Sequence, residues 1–293
     1  MALDYQRLKA ATLPPVDEQL SADKCILYAL GVGAGLAPAQ GAQREVALVY
    51  EEQLEVLPAM ACVVGYAGFW MRDPQYGLDW TRIVHAEQRM KFLAPLSAGT
   101  CLRGTTRVQR ICDKGAEKGA IVVMEREVRT AEGELLCQME QVNYCRGDGG
   151  YSHGDASLSD AMPEPISRPP SRAPDTVISL ASTRNQAAIY RLCGDRNPLH
   201  IDPVAARSAG FSAPIMHGAA SLGMVNRALR LAGAPGGARA LTSLDVRFTG
   251  VFYPGDTMVV EIWRSGLSVA FRCCAEGASS EIAHGMATWS EAP

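Results

Sequence analysis

The chain has 293 residues, of which 47% are hydrophobic and 20% are charged, and its formal net charge is −3. This length suggests two domains or one large domain, and the apolar fraction is ample for a buried core. A slightly acidic chain with scattered basic residues lacks the electrostatic footprint of a protein that binds nucleic acid or an anionic membrane. No stretch approaches the about 18 apolar residues that a membrane-spanning helix needs.

The first half of the chain predicts an antiparallel sheet. A helix start and a Gly-rich break come first, around the string "YALG" at residues 28–31. The segments that follow alternate apolar and polar residues, as strands buried on one face do. The predicted strands cover residues 45–51, 82–96, 100–113, 119–133 and 136–146.

Residues 147–174 form the clearest break in composition along the chain. They are rich in Gly, Ser, Asp and Pro and show no apolar periodicity, which is typical of a linker. We therefore predict an N-terminal unit over 1–146, a linker over 147–174 and a C-terminal unit over 175–293.

The second half predicts one long helix followed by strands. The helix covers residues 215–233, with Ile215, Leu222 and Leu229 on one face and Gly233 as its C-cap. The strands after it are predicted over 240–253, 257–266, 267–277 and 282–290. An antiparallel sheet wrapped around a central helix, present twice, makes the predicted fold class α+β.

Three pairs of segments indicate that the two halves are duplicated copies. The string "KFLAPLSAGT" in the first half resembles "RFTGVFYPGD" in the second, and "YALG" resembles "YRLCG". A turn and an alternating strand, "AEGELLCQMEQVNYCR", resemble "AEGASSEIAHGMATWS". Because the matches come in the same order and at similar spacing, we expect one domain repeated in one chain.

The stretch "GDRNPLHID", from Gly194 to Asp202, concentrates polar residues between two helical segments. Asp202 is the expected N-cap of a helix that begins at the following proline, and Pro198 stiffens the loop before it. Such a loop can hold Asp195 and His200 as a general acid–base pair around one water. Alternatively, Asp195 caps a turn and His200 packs beneath it, and the residues alone leave both interpretations open.

The longer string from Tyr190 to Leu229 resembles the R-specific enoyl-CoA hydratases of the MaoC-like family. It contains their Gly-Asp-x-Asn-Pro-Leu-His motif and, further on, a Pro-Ile-x-His-Gly segment. The resemblance implies a double hotdog fold, in which the first repeat is catalytically degenerate. Aligning the two repeats at "YALG" and "YRLCG" places Gly33 opposite Asp195 and Pro38 opposite His200.

The resemblance also implies a reaction and roles for residues. Asp195 and His200 would activate a water that adds to C3 of a trans-2-enoyl-CoA, giving the (R)-3-hydroxyacyl-CoA, or would catalyse the reverse dehydration. Asn197 would hold the geometry by hydrogen bonds. The backbone N–H of Gly218, at the start of the long helix, would bind the thioester carbonyl as negative charge develops on it.

Three more residues are candidates for binding the CoA thioester. Arg247 and Lys91 occupy equivalent places in the two repeats, and each is expected either to meet a CoA phosphate or to be a solvated strand residue. His217 either braces its loop or contacts the substrate. His85, His153 and His284 lack a partner at catalytic spacing, and we do not expect them to be catalytic.

The expected partner is an acyl-CoA thioester, with no cofactor and no metal, in a homodimer. The nine cysteines include no Cys-x-x-Cys pair, and their odd number and the polar amino-terminal segment favour free thiols in the cytoplasm. An alternative is a dehydratase of a branched, dicarboxylic or steroid side-chain acyl thioester. A second alternative is a hotdog thioesterase, which would carry a carboxylate on the long helix, and residues 215–233 contain no Asp or Glu.

Overall fold

Ten strands form one antiparallel sheet in a computed structural model that describes residues 3–36, 45–233 and 240–291. The strands are β1 (Val16–Gln19), β2 (Ile83–Phe92), β3 (Cys101–Asp113), β4 (Ala120–Thr130), β5 (Leu135–Cys145), β6 (Thr176–Ala181), β7 (Leu241–Phe248), β8 (Thr257–Ser265), β9 (Ser268–Ala275) and β10 (Glu281–Trp289). Their order is β1-β3-β4-β5-β2-β7-β10-β9-β8-β6. The order is symmetric about the β2–β7 pair, which confirms the predicted α+β fold built from two repeats.

Helices cover the sheet and supply its core. Apart from the helical residues 45–49, the described helices are α1 (Tyr5–Lys9), α2 (Ala22–Gly31), α3 (Gln186–Tyr190), α4 (Pro203–Ser208) and α5 (Gly218–Ala232). Every residue of α5 from Ala220 to Leu229 is buried, so this helix is enclosed on all sides. A Cβ atom added at Gly223 would lie 2.4 Å from a methyl carbon of Val32, which is too close. Because glycine has no side chain, the end of α2 can pack directly against α5. No helix within the described ranges is long and apolar enough to cross a membrane.

The two repeats meet at equivalent aromatic residues. The rings of Tyr28 and Tyr190 lie 5.9 Å apart, and a Cβ atom added at Gly31 would lie 3.0 Å from the Tyr190 Cα. The repeats differ in the element that precedes their central strand. Before β7 stands the long helix α5, whereas the described residues before β2 include a short 3-10 helix, Pro58–Cys62, that packs on α5.

The strand predicted over 45–51 is wrong. Residues 45–49 are helical, because a buried ion pair overrides the alternating pattern of this segment. The carboxylate of Glu45 pairs with the Arg227 guanidinium of α5 and accepts a hydrogen bond of 3.0 Å from the Gly35 N–H. Both members of the pair are 1% exposed. Pro38, which the repeat alignment places opposite His200, lies outside the described residues.

The segment over 147–174 packs along the sheet. Asp113 accepts hydrogen bonds from the backbone N–H groups of Gly150 and Ser152, at 2.7 and 3.0 Å. Further along, the Trp263 indole N–H donates to the Arg172 carbonyl at 2.8 Å. The segment is therefore attached to both halves, and the predicted domain limits stay a prediction.

Breaking the buried ion pair should destabilise the protein strongly. We expect Arg227→Met to lower the free energy of unfolding by about 3–5 kcal/mol, because it leaves the Glu45 carboxylate buried and unpaired. Replacing both residues, Arg227→Met with Glu45→Leu, should restore most of the loss. Chemical denaturation measures both values.

The matched control for this prediction is the exposed pair of Arg103 and Asp17, whose side chains are 56% and 65% exposed. We expect Arg103→Met to lower the free energy of unfolding far less than Arg227→Met does, since solvent screens such exposed pairs. An equal cost for the buried and the exposed variants would contradict the role given to the buried pair.

Candidate active site

A cavity of about 700 Å³ opens where β2 and β7 part. The two strands pair over five residues each, and the pairing stops at Glu87 and Arg247. Beyond that point β2 continues along β5 as far as Ile83, and β7 continues along β10 as far as Phe248. The sheet therefore contains a gap between its two halves, and the cavity fills this gap.

The cavity reaches both faces of the sheet. Residues 141–144 of β5 all line it, although successive side chains of a strand point to opposite faces. Val142 and Tyr144 pack in a small apolar cluster with Ile121, separate from the main core. We call this side the outer end of the cavity, and it includes the exposed side chains of Lys114 and Arg146. The catalytic end, on the other face, is the part lined by residues 195–200 and 218–221.

A series of side-chain caps holds the loop at the catalytic end. The Asp195 carboxylate accepts a hydrogen bond of 3.1 Å from the Asn197 N–H, and the Asn197 side-chain oxygen accepts one of 3.1 Å from the Leu199 N–H. Asn197 thereby caps the 3-10 turn Pro198–His200. Asp202 accepts from the Val204 N–H at 2.8 Å, so the predicted N-cap of α4 is confirmed. This short-range bonding gives Asp195 and His200 a defined separation.

His200 presents an unprotonated nitrogen at the catalytic end. Its Nδ1–H donates a hydrogen bond of 2.8 Å to the Ile215 carbonyl, which leaves the lone pair on Nε2. The side chain is buried, and burial lowers its pKa below the ordinary value of 6.5, although the Asp195 carboxylate acts in the opposite direction. The ring is therefore a neutral base at pH 7.

His217 supports both members of the pair. Its Nε2–H donates to the Asp195 backbone carbonyl at 3.2 Å, and its ring stacks on His200 with 3.7 Å between centroids. The buried Tyr190 ring also packs against His217, with 4.9 Å between the ring centroids. Burial, followed by the neighbouring His200, holds the pKa of His217 well below its usual range. The geometry favours the bracing interpretation of His217.

Gly218 begins α5 at the wall of the catalytic end. The first N–H groups of a helix have no acceptor within the helix, and the side chain of the N-cap residue, His217, makes no capping bond to them. These donors and the helix dipole favour negative charge at this point. A Cβ atom added at Gly218 would lie 3.5 Å from the Phe248 ring, an ordinary contact, so glycine at this position keeps a side chain out of the cavity wall.

The structure separates the two predicted CoA-binding residues. Arg247 lines the cavity, is 48% exposed and makes an ion pair of 2.8 Å with Glu87. Lys91 is exposed at the opposite end of the β2–β7 pairing, outside the cavity lining in the described part of the chain. The two residues thus occupy equivalent sequence positions but different surroundings.

Sequence reasoning missed several residues of the cavity. These include Tyr66, Lys114, Gln141 and Arg146, which lie far along the chain from the Asp195 loop. His85 also lines the cavity and contacts the Phe248 ring at 5.0 Å, and burial lowers its pKa to about 4. No local motif marks these residues, because strand pairing and loop packing bring them to the gap from distant parts of the chain.

Asp195, His200 and His217 are also the one set of potential metal ligands found among the described residues, with an atom of each within 4.8 Å of the others. The stacking of the two imidazoles works against a shared ion, because lone pairs in nearly parallel planes do not converge on one point. The site geometry therefore suits an acid–base pair better than a metal centre.

The comparisons with known proteins agree with this arrangement of two repeats. Residues 19–147 match the MFE-2 hydratase 2 N-terminal domain, and residues 165–281 match the MaoC like domain. Enoyl-CoA hydratase ChsH3 of Mycobacterium tuberculosis is 36% identical, with 91% of each chain covered. This chain belongs to the MaoC-like hydratase family.

Further relatives and solved structures resemble the chain over nearly its whole length. The 3-hydroxyacyl-thioester dehydratase Y of Mycobacterium tuberculosis is 36% identical, with 90% of this chain and 89% of that protein covered. A crystal structure of a MaoC-like dehydratase from Phytophthora capsici has a TM-score of 0.82 at 26% identity, covering 99% of this chain and 100% of the other. A Mycobacterium tuberculosis protein described as a double hotdog fold has a TM-score of 0.57 at 15% identity and covers 99% of each chain. The double hotdog prediction is confirmed.

The lowered pKa of His200 predicts how the hydratase activity of this chain depends on pH. Because the folded pKa lies below 6.5, the basic form persists as the pH falls from 7 to 6.5. We expect kcat/KM for a trans-2-enoyl-CoA to stay level over that interval and to decline only at lower pH. Initial rates at low substrate concentration measure this profile.

Acid unfolding needs a parallel control. Below pH 6.5, His200 and His217 bind protons in the unfolded chain but remain neutral in the folded protein, where their pKa values are lowered. The free energy of unfolding therefore falls as the pH falls. Circular dichroism at each pH separates this loss from the titration of the base. An acid limb with its midpoint at or above pH 7, in folded protein, would contradict the assignment.

Proposed function

We propose that this chain catalyses R-specific hydration of trans-2-enoyl-CoA to (R)-3-hydroxyacyl-CoA, and the reverse dehydration. The observation that carries the proposal is the convergence of three groups on one cavity. These are the Asp195 carboxylate, the Nε2 lone pair of His200 and the N–H of Gly218 at the start of α5. Relatives named as an enoyl-CoA hydratase and a 3-hydroxyacyl-thioester dehydratase support the two directions of this reaction.

In the hydration direction, a water bound between Asp195 and His200 would lose a proton to this pair as its oxygen attacks C3. The electron pair of the C2–C3 double bond moves toward the thioester carbonyl. The N–H of Gly218 and the dipole of α5 stabilise the negative charge that develops on the carbonyl oxygen. The pair then returns a proton to C2, and both residues regain their starting states. Asn197 takes part by holding the loop rather than by contacting the reacting atoms.

The charge distribution of the cavity supports one orientation of the bound CoA thioester. Lys114, Arg146 and Arg247 lie toward the outer end, where their positive charge suits the phosphates of CoA. The pantetheine arm would pass through the gap between β2 and β7 and bring the thioester to Gly218. This proposal assigns a CoA phosphate to Arg247 and leaves Lys91 in solvent.

In this proposal, the two predicted domains have separate roles in substrate binding and catalysis. The N-terminal unit, 1–146, supplies walls of the acyl and CoA pocket, and the C-terminal unit, 175–293, supplies Asp195 and His200. All nine cysteines are free thiols, which supports the cytoplasmic location that we propose. The homodimer rests on the family resemblance and stays a prediction.

The thioesterase alternative finds no support at the site. Such an enzyme would place its carboxylate on the central helix, and α5 carries no Asp or Glu along Gly218–Ala232. The carboxylate at the catalytic end belongs instead to the loop before α4. The choice among ordinary, branched, dicarboxylic and steroid side-chain acyl groups depends on the walls of the cavity.

Removing either member of the pair should abolish turnover. We expect Asp195→Asn and His200→Ala each to lower kcat/KM for crotonyl-CoA by about 10²- to 10⁴-fold, since general acid–base catalysis contributes that much. The loss of absorbance of the conjugated thioester measures the rate.

Circular dichroism establishes that both variants remain folded. A matched control is Asp202→Asn, which keeps a side-chain oxygen for the cap of α4 and lies outside the cavity lining in the described residues. Turnover of either Asp195→Asn or His200→Ala at the wild-type rate would overturn the mechanism.

A further inference from the structure

The catalytic end of the cavity has a polar wall that the hydration chemistry does not use. Tyr66, from the loop after the 3-10 helix Pro58–Cys62, lines this wall, and its hydroxyl makes no hydrogen bond within the described ranges. Burial, followed by the charge of Asp195, raises the pKa of Tyr66 to about 12. The hydroxyl is therefore a protonated donor without an acceptor, near the catalytic carboxylate.

A buried cation lies behind the Tyr66 ring. The Arg126 guanidinium carbon is 5.2 Å from the centre of that ring, and the residue is 7% exposed. One guanidinium nitrogen donates to the carbonyls of Ala61 and Cys62, at 3.3 and 2.6 Å, while Nε is buried without a partner. No carboxylate in the described part of the chain pairs with Arg126. Because buried charges are normally paired, this cation leaves positive potential behind the wall.

Gln141 completes the wall. Its side-chain N–H donates to the Asn143 side-chain oxygen at 2.9 Å, which fixes the amide on the face of β5 that Tyr66 covers. Tyr66, Gln141 and Arg126 also line a second, smaller cavity behind the first. The wall is thus a continuous polar surface from the cavity to the cation.

A saturated alkyl chain fits this wall poorly. It would cover the Tyr66 hydroxyl without bonding to it, and an unmet buried donor weakens binding by about 10-fold or more. An oxygen atom on the acyl chain would accept a hydrogen bond from the Tyr66 hydroxyl, and the positive potential of Arg126 would favour such an acceptor. A carboxylate is disfavoured, because the charge of Asp195 acts on the same hydroxyl. An uncharged carbonyl avoids this repulsion.

We propose that the preferred substrate is a trans-2-enoyl-CoA whose acyl part carries a keto oxygen that accepts a hydrogen bond from Tyr66. This inference rests on the proposed hydratase function and narrows its substrate class. Tyr66 is then a specificity-determining residue contributed by the catalytically degenerate repeat.

The test compares enoyl-CoA substrates of equal chain length. One is an unsubstituted alkyl chain, several carry a keto group at successive carbons beyond C4, and one ends in a carboxylate. We expect the best keto substrate to have a kcat/KM about 10-fold above that of the alkyl chain. The difference should lie mainly in KM, because a keto group beyond C4 takes no part in the bonds that form and break.

Tyr66→Phe should remove this preference by lowering kcat/KM for the keto substrate to the alkyl value. The matched control is Tyr144→Phe at the outer end, where the hydroxyl already donates to the Lys118 carbonyl at 2.8 Å. We expect the control to leave the ratio of keto to alkyl kcat/KM unchanged. Circular dichroism of both variants checks their folding.

Three results would overturn the inference while leaving the hydratase function intact. These are equal kcat/KM for the keto and alkyl substrates, a preference for the carboxylate, and a keto preference that survives Tyr66→Phe. If the wild-type protein hydrates none of the substrates, the proposed function itself fails.

Discussion

The site depends on a single strand pairing, that of β2 with β7. These strands join the two repeats into one sheet over five residue pairs and then separate, each staying bonded to its own repeat. A continuous sheet would seal one face from the other, since every backbone group would be paired across it. The early end of this pairing leaves an opening, and residues from both faces line one cavity there. The basic outer end and the catalytic end are consequences of that opening.

The two halves of the duplicated chain contribute different parts of the candidate site. The second half keeps the long helix α5, whose first N–H groups face the cavity, and the capped loop that holds Asp195 and His200. The first half has the short 3-10 helix Pro58–Cys62 against α5, and the loop after it brings Tyr66 to the cavity. Burial of Glu45 against Arg227 ties the halves together away from the site. In the proposed mechanism, the second repeat provides the acid–base groups and the first repeat contributes walls of the substrate pocket.

The sequence predicted what depends on neighbours along the chain. The cap at Asp202, the long helix and most strands follow from local spacing and periodicity, and the Asp195 motif is local as well. Contacts between distant segments were not predictable. The strand expected over 45–51 is a helix because Glu45 pairs with Arg227, far along the chain. Tyr66 and Arg126 meet the Asp195 loop through strand register and loop packing, which leave no local pattern.

The most direct test of this account is a crystal structure of the Asp195→Asn protein with a bound trans-2-enoyl-CoA. We predict that the thioester carbonyl accepts a hydrogen bond from the Gly218 N–H. The pantetheine arm should pass between β2 and β7, and the CoA phosphates should lie near Lys114, Arg146 and Arg247. A bound CoA that leaves the β2–β7 gap empty, with its thioester carbonyl away from the Gly218 N–H, would contradict the account.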